Sequence, residues 1–162
     1  MHQTRNDMPL SSRTAMAALL NQILADTLDL YSHAKQAHWN VRGPNFAGLH
    51  GLFDAIAEQA DGHADLIAER AVQLGAHAKG TVDHAAAAST LPPFGGETSA
   101  WRPLTDRLAI SVSCTAQAVR TAISAAEKAG DAGTADLFTQ VSRDLDKSLW
   151  MLEAHLDADT HA

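Results

Sequence analysis

The sequence predicts an all-α chain: four long amphipathic helices in one bundle, with a long crossover carrying a short helix between the second and third. Three observations carry that expectation. Apolar residues make up 46% and aromatics only 5%, with alanine abundant. That balance favours close helix packing through small side chains over a strand-rich sandwich. Apolar positions recur at the helical period, and glycine and proline clusters divide the chain into helix-length pieces. The 162 residues suit one domain with a substantial core, and no block repeats at a fixed spacing.

The first helix is expected to start after Ser11 or Ser12 as N-cap and to run to about Asn40. Val41-Arg42-Gly43-Pro44 then breaks it. Asn45 can cap a second helix that ends near Leu74, with Gly75 as its stop. Residues 76–98 form the crossover, with Gly80, Pro92-Pro93 and Gly95-Gly96 in it and a short helix over 82–89. The third helix begins around Ser99, where Pro103 is tolerated in the first turn. Gly130 closes it, and the fourth runs from Asp131 or Gly133 to Leu156. The domain plan is therefore a flexible tail at 1–11, a bundle at 12–158 and a C-terminal tail at 159–162. A plain up-down bundle would not need about twenty residues between its middle helices. One long crossover matches a ferritin-like four-helix bundle.

Bulk chemistry excludes several classes. The lone Cys114 can form neither an internal disulfide nor a thiolate cluster, and it is expected as an inert buried thiol. Asn21, Asp26 and Asp29 interrupt the longest apolar stretches, and no leader pattern opens the chain. Neither a membrane span nor a signal peptide is expected, which makes the cytoplasm the expected compartment. A formal charge of −7 does not draw nucleic acid by bulk electrostatics. The first thirteen residues carry Arg5, Arg13 and His2 against Asp7, and residues 153–162 carry no lysine or arginine.

The second helix carries the chemistry. On a helical wheel Phe46, Leu49, Phe53, Ile56, Ala57, Ala60, Ala64, Ile67, Ala71 and Leu74 form a core stripe. The neighbouring sector holds His50, Asp54, Glu58, Asp61, Asp65 and Glu69, with no lysine or arginine among them. A solvated face usually mixes signs at i,i+4, because like charges there oppose helix formation. Here Asp54/Glu58, Asp61/Asp65 and Asp65/Glu69 are like-charged, which points to an absent cation. His50/Asp54 and Asp65/Glu69 each offer two ligands one turn apart. Positions 50 and 65 are about 22 Å apart along a helix, so one centre cannot use both pairs of one chain. Two antiparallel copies about a two-fold axis would bring each pair onto its complement, since His50 with Glu69 and Asp54 with Asp65 share one residue-number sum. Gly51, Ala55 and Gly62 beside the stripe allow close approach. Glu58 and Asp61 would meet near the axis, hydrated or holding an accessory cation.

Three stretches then resemble a known family. His38-Trp39-Asn40-Val41-Arg42-Gly43-Pro44-Asn45-Phe46, continuing to Leu49-His50 and Asp54, is similar to the signature of the Dps miniferritins. So are residues 65–75, Asp65-Leu66-Ile67-Ala68-Glu69-Arg70-Ala71-Val72-Gln73-Leu74-Gly75, and Ser142-Arg143-Asp144-Leu145-Asp146-Lys147 with Leu149-Trp150. The likeness spans residues 12–156. It implies a dodecameric hollow shell that oxidises iron at two-fold interfaces, preferably with hydrogen peroxide, and stores the mineral inside. It also implies that His38, His50 and Asp54 come from one subunit and Asp65 and Glu69 from its partner. Trp39 matches a residue the family places beside iron, with interface packing as the other reading. Ala64 departs from the larger apolar residue usual there. Family members that bind DNA often use a lysine-rich tail, which this chain lacks. Asp131 and Asp136 lie near the family's pore-lining acids without a definite assignment.

Imidazole with carboxylate suits Fe(II), Mn(II) or Zn(II). The expected function is thus an iron-oxidising, iron-storing enzyme that protects DNA and cell from oxidative damage. The alternatives are a nucleoid-associated DNA-binding protein and a zinc-holding shell without turnover. His33, His63, His77, His84, His155 and His161 are expected as surface or interface residues.

Overall fold

The computed structural model describes residues 1–157, in the order α1 (Leu10–Asn40), α2 (Phe46–Gln73), α3 (Val82–Ala88), α4 (Trp101–Lys128) and α5 (Ala132–Leu156). The C-terminal tail at 159–162, and His161 with it, lies outside the described residues. Extended pairing among the described residues is confined to a parallel bridge between Arg42 and Ala100. α1 lies along α2, α4 lies along α5, α1 also packs on α4, and α3 sits against α1. Among the described residues, no helix is long and apolar enough to cross a membrane.

The core fills from every long helix: Leu20, Leu24 and Leu30 of α1, Phe53 and Ile67 of α2, Leu108 and Val112 of α4, and Phe138 and Leu152 of α5 are fully buried. The predicted stripe of α2 is buried from Leu49 to Leu74. Phe46 departs from it, at 48% exposed. It opens α2 beside the exposed turn 42–45, and its ring lies 5.1 Å from that of His50.

Backbone groups do much of the capping expected of side chains. α1 begins at Leu10 behind Pro9, ahead of Ser11 and Ser12, with no side-chain cap. Asn45 is left-handed, with φ 59°, and its side chain caps nothing; its carbonyl accepts from Leu49 N–H. Gly75 ends α2 in a Schellman motif, in which Gly75 N–H donates to Val72 O and Ala76 N–H to Ala71 O. Its φ of +90° suits glycine, and an added Cβ would lie 2.9 Å from His2 O. Gly130 repeats the motif at the end of α4, through its own N–H to Glu127 O and Asp131 N–H to Ala126 O.

Residues 1–9, read from the sequence as part of a flexible tail, fold back on this end of α2. His2 N–H donates to Gly75 O at 2.7 Å, and Arg13 reaches Met8 O and Leu74 O at 3.1 Å each.

Polar residues that interrupt the apolar run of α1 hold the crossover. Asn21 donates to His77 O and accepts from Lys79 N–H. Buried Asp26 accepts from Thr90 N–H at 2.7 Å, and Asp29 accepts from the Ser89 hydroxyl.

Two of the histidines expected as surface or interface residues are buried within the chain: His33 is 7% and His63 4% exposed. Each finds a partner on another helix, which is what makes burial of the ring tolerable. His33 Nδ1 lies 2.9 Å from Ser111 Oγ, and His63 Nε2 lies 3.1 Å from Asp144 Oδ2. Burial pulls His33 below its ordinary pKa, against the opposing pull of Asp29. Cys114 is half-buried, less enclosed than its apolar neighbours suggested. Asp131 is buried as the N-cap of α5, bonded to Thr134 and paired with Arg70 at 2.6 Å.

Candidate metal centre

His38 lies in the last turn of α1 and His50 near the start of α2. The turn 41–45 brings their rings into a stack, with centroids 3.7 Å apart and planes 25° apart. Each ring bonds the other residue's main chain: His38 Nδ1–H donates to His50 O at 2.8 Å, and His50 Nδ1–H donates to His38 O at 3.0 Å. A carbonyl can only accept, so both protons must sit on Nδ1. When the rings are neutral, both Nε2 atoms therefore keep a lone pair for a metal. The outer partners that sequence alone did not reveal are these two carbonyls.

Asp54 follows one turn after His50, and its Oδ1 lies 3.8 Å from His38 Nδ1. Lys35 of α1 donates to the same oxygen at 2.7 Å. This lysine hydrogen bond, aided by the nearby histidines, holds the Asp54 carboxyl below its ordinary range against the desolvation that would raise it. Asp54 in turn raises Lys35. Sequence reasoning missed Lys35, because the acidic sector of α2 holds no lysine or arginine and Lys35 comes from α1. Its signal was its position three before His38, on the same face of α1. The Lys35 ammonium also lies 5.8 Å from the Trp39 ring centroid, and Trp39 is 67% exposed.

His38, His50 and Asp54 are thus gathered, with Trp39 beside them. Asp65 and Glu69 are not. They lie farther along α2, exposed, and no hydrogen bond or ion pair engages them among the described residues. Glu58 and Asp61 are exposed on the same helix. Among the described residues of one chain, no group of three or more His, Cys, Asp or Glu side chains is arranged to hold a metal. Gly51 and Gly62 have open space where a Cβ would stand, so nothing among the described residues requires glycine there.

Comparison with known proteins agrees with this architecture. A family model for the ferritin-like domain matches residues 17–161. A "DNA protection during starvation protein" from Agrobacterium fabrum is 42% identical over 155 residues, 96% of each chain. Mycobacterium smegmatis Dps superposes with a TM-score of 0.92 at 29% identity, covering 99% of this chain and 96% of that one. A Vibrio cholerae Dps, described as a member of a superfamily of ferritin-like diiron-carboxylate proteins, gives 0.89 at 26% identity, covering 96% and 98%. An all-helical bundle with one long crossover, a family-model match across most of its length and a curated relative at this identity make the chain a member of the Dps family of ferritin-like proteins.

Proposed function

We propose that this chain is the subunit of an iron-oxidising and iron-storing shell, with its ferroxidase site shared between two copies. His38, His50 and Asp54 bind Fe(II) from one subunit, and Asp65 and Glu69 of the partner subunit complete the site. The observation that carries this reading is the reciprocal histidine pair, whose Nδ1 protons are engaged and whose Nε2 atoms are free to ligate. Further support comes from the unengaged Asp65 and Glu69 and from the empty space beside Gly51 and Gly62, which a second helix can enter. Exposed Trp39 stands beside the histidines and packs at that interface.

Iron is the substrate here. Two Fe(II) each give one electron to one hydrogen peroxide, whose O–O bond breaks. With two protons taken up, two Fe(III) and two waters result. Paired transfer at fixed positions avoids release of hydroxyl radical. Carboxylates favour the more highly charged product, and an acidic interior concentrates cations for mineral growth. Twelve copies, built from dimers, make the proposed shell, acting in the cytoplasm. Protection of DNA then follows from chemistry and needs no contact with it. Direct DNA binding is disfavoured, because Arg13 near the N-terminus is spent on Met8 O and Leu74 O.

The test is Fe(II) oxidation by peroxide in the assembled protein, with the ratio of iron oxidised to peroxide consumed. His38→Ala and Glu69→Ala should each slow oxidation by at least about tenfold, and the parent should consume two Fe(II) per peroxide. Parent-like rates in either variant would show that the site is assigned wrongly. Tight zinc retention without peroxide consumption would favour the storage-only alternative, and a gel shift that survives moderate salt would favour a DNA-coating role.

A further inference from the structure

The last turn of a helix leaves carbonyls without intrahelical donors. At the end of α1, Val41 N–H donates to Ala37 O. The next amide, Arg42 N–H, would reach His38 O if the helix continued. It donates instead to Ser99 O, at 2.8 Å, across the bridge to the end of the crossover. His38 O is left open, and His50 Nδ1–H takes it. The tautomer of His50 thus depends on where a segment some sixty residues away in the chain holds Arg42.

That segment leads directly into Trp101, the first residue of α4. A Cβ built on Gly43 would lie 3.0 Å from Trp101 Cδ1, so the indole edge rests against the α-carbon next to Arg42. Gly43 has φ +115°, a conformation strained for any other residue, and the missing side chain makes room for the ring. Arg102 lies 5.7 Å from the same ring's centroid.

We propose that Trp101 is a positioning residue for the metal centre. By seating the 42–99 backbone bridge against Gly43, it diverts the Arg42 amide, frees His38 O and holds His50 in the Nδ1–H form with Nε2 presented to metal. The inference rests on the reading of His38 and His50 as metal ligands. Among the described residues, no ring contact joins Trp101 to His38 or His50.

The experiment uses the assembled, metal-free protein with 15N-labelled histidine. Solid-state NMR reads the tautomers of His38 and His50, assigned from His38→Ala and His50→Ala, and Co(II) is the binding probe. The parent and Trp101→Phe should hold both rings in the Nδ1–H form. Trp101→Ala should show an Nε2–H population at His50 and bind Co(II) about tenfold more weakly, in the range of other outer partners of metal ligands. A Trp101→Ala assembly with both rings still in the Nδ1–H form and parent-like Co(II) affinity overturns the inference and leaves the metal centre standing. If Trp101→Ala does not assemble, an Nε2–H form of His50 in the parent or in Trp101→Phe overturns it equally. Equal Co(II) affinity in parent and His50→Ala would refute the ligand assignment itself.

Discussion

Lys35 places an ammonium 2.7 Å from Asp54 Oδ1, on a carboxylate that the proposed iron site requires. A dication entering beside His38 and His50 must displace it or share the oxygen with it. Lys35→Met removes that competitor and the like charge with it, so Fe(II) or Co(II) affinity should rise several-fold, as titration calorimetry would show. The same substitution should let the Asp54 carboxyl return toward its ordinary value of 3.8, read by carboxyl 13C titration of the metal-free protein. Because the folded pKa is depressed, the ion pair contributes in full above that ordinary value. Its contribution is lost as pH falls through the lower folded one. The like-charged stripe of α2 is accordingly relieved at one end by a lysine from α1. At Asp61, Asp65 and Glu69 no such relief is found among the described residues, and there the case for a second subunit is strongest.

At the scale of elements, the junction of α2 with α5 is held by a compact polar knot. Asp131 caps α5 through Thr134 N–H, accepts the Thr134 hydroxyl and pairs with Arg70 of α2. Burial works to raise the Asp131 carboxyl, but the Thr134 bonds and the Arg70 guanidinium together hold it below its ordinary range. Asp131→Ala removes a cap and strands a half-buried guanidinium, and should cost about 2 kcal/mol or more in chemical denaturation. Asp131→Asn keeps the cap acceptor and should cost roughly half as much. The sign with pH follows from the depressed value: the knot's contribution is present above the ordinary carboxylate pKa and disappears as pH falls through the folded one.

For the whole molecule, the proposed sharing of ligands makes a prediction that no single-chain site can satisfy. A His50→Ala/Asp54→Ala subunit and an Asp65→Ala/Glu69→Ala subunit should each be inactive alone. When they co-assemble at random in equal ratio, half of the dimers are mixed and one of the two sites in each of those has every ligand, so about a quarter of parental Fe(II) oxidation should return. If mixed assemblies stay inactive while both variants assemble normally, the ligands do not come from two chains. The folded-back segment 1–9 and the pinned crossover leave α2 open along its acidic face, as such a contact needs.

Helix period, glycine stops and the short helix in the crossover were legible because they are local. A residue's neighbours at i+3 and i+4, and the left-handed conformation that Gly75 and Gly130 accept, depend on the chain within one or two turns. So the sequence by itself determined the bundle, the core stripe of α2 from Leu49 onward and the pairing of His50 with Asp54 on one face. Tertiary structure alone decided what lies across a gap between elements. It put Lys35 on Asp54, gave each site histidine the other's carbonyl, buried His33 and His63 against Ser111 and Asp144, and left Phe46 uncovered. The reason is physical: those contacts follow from the angle of the 41–45 turn and from how α1 packs on α4 and α2 on α5, and helical periodicity carries no information about any of these.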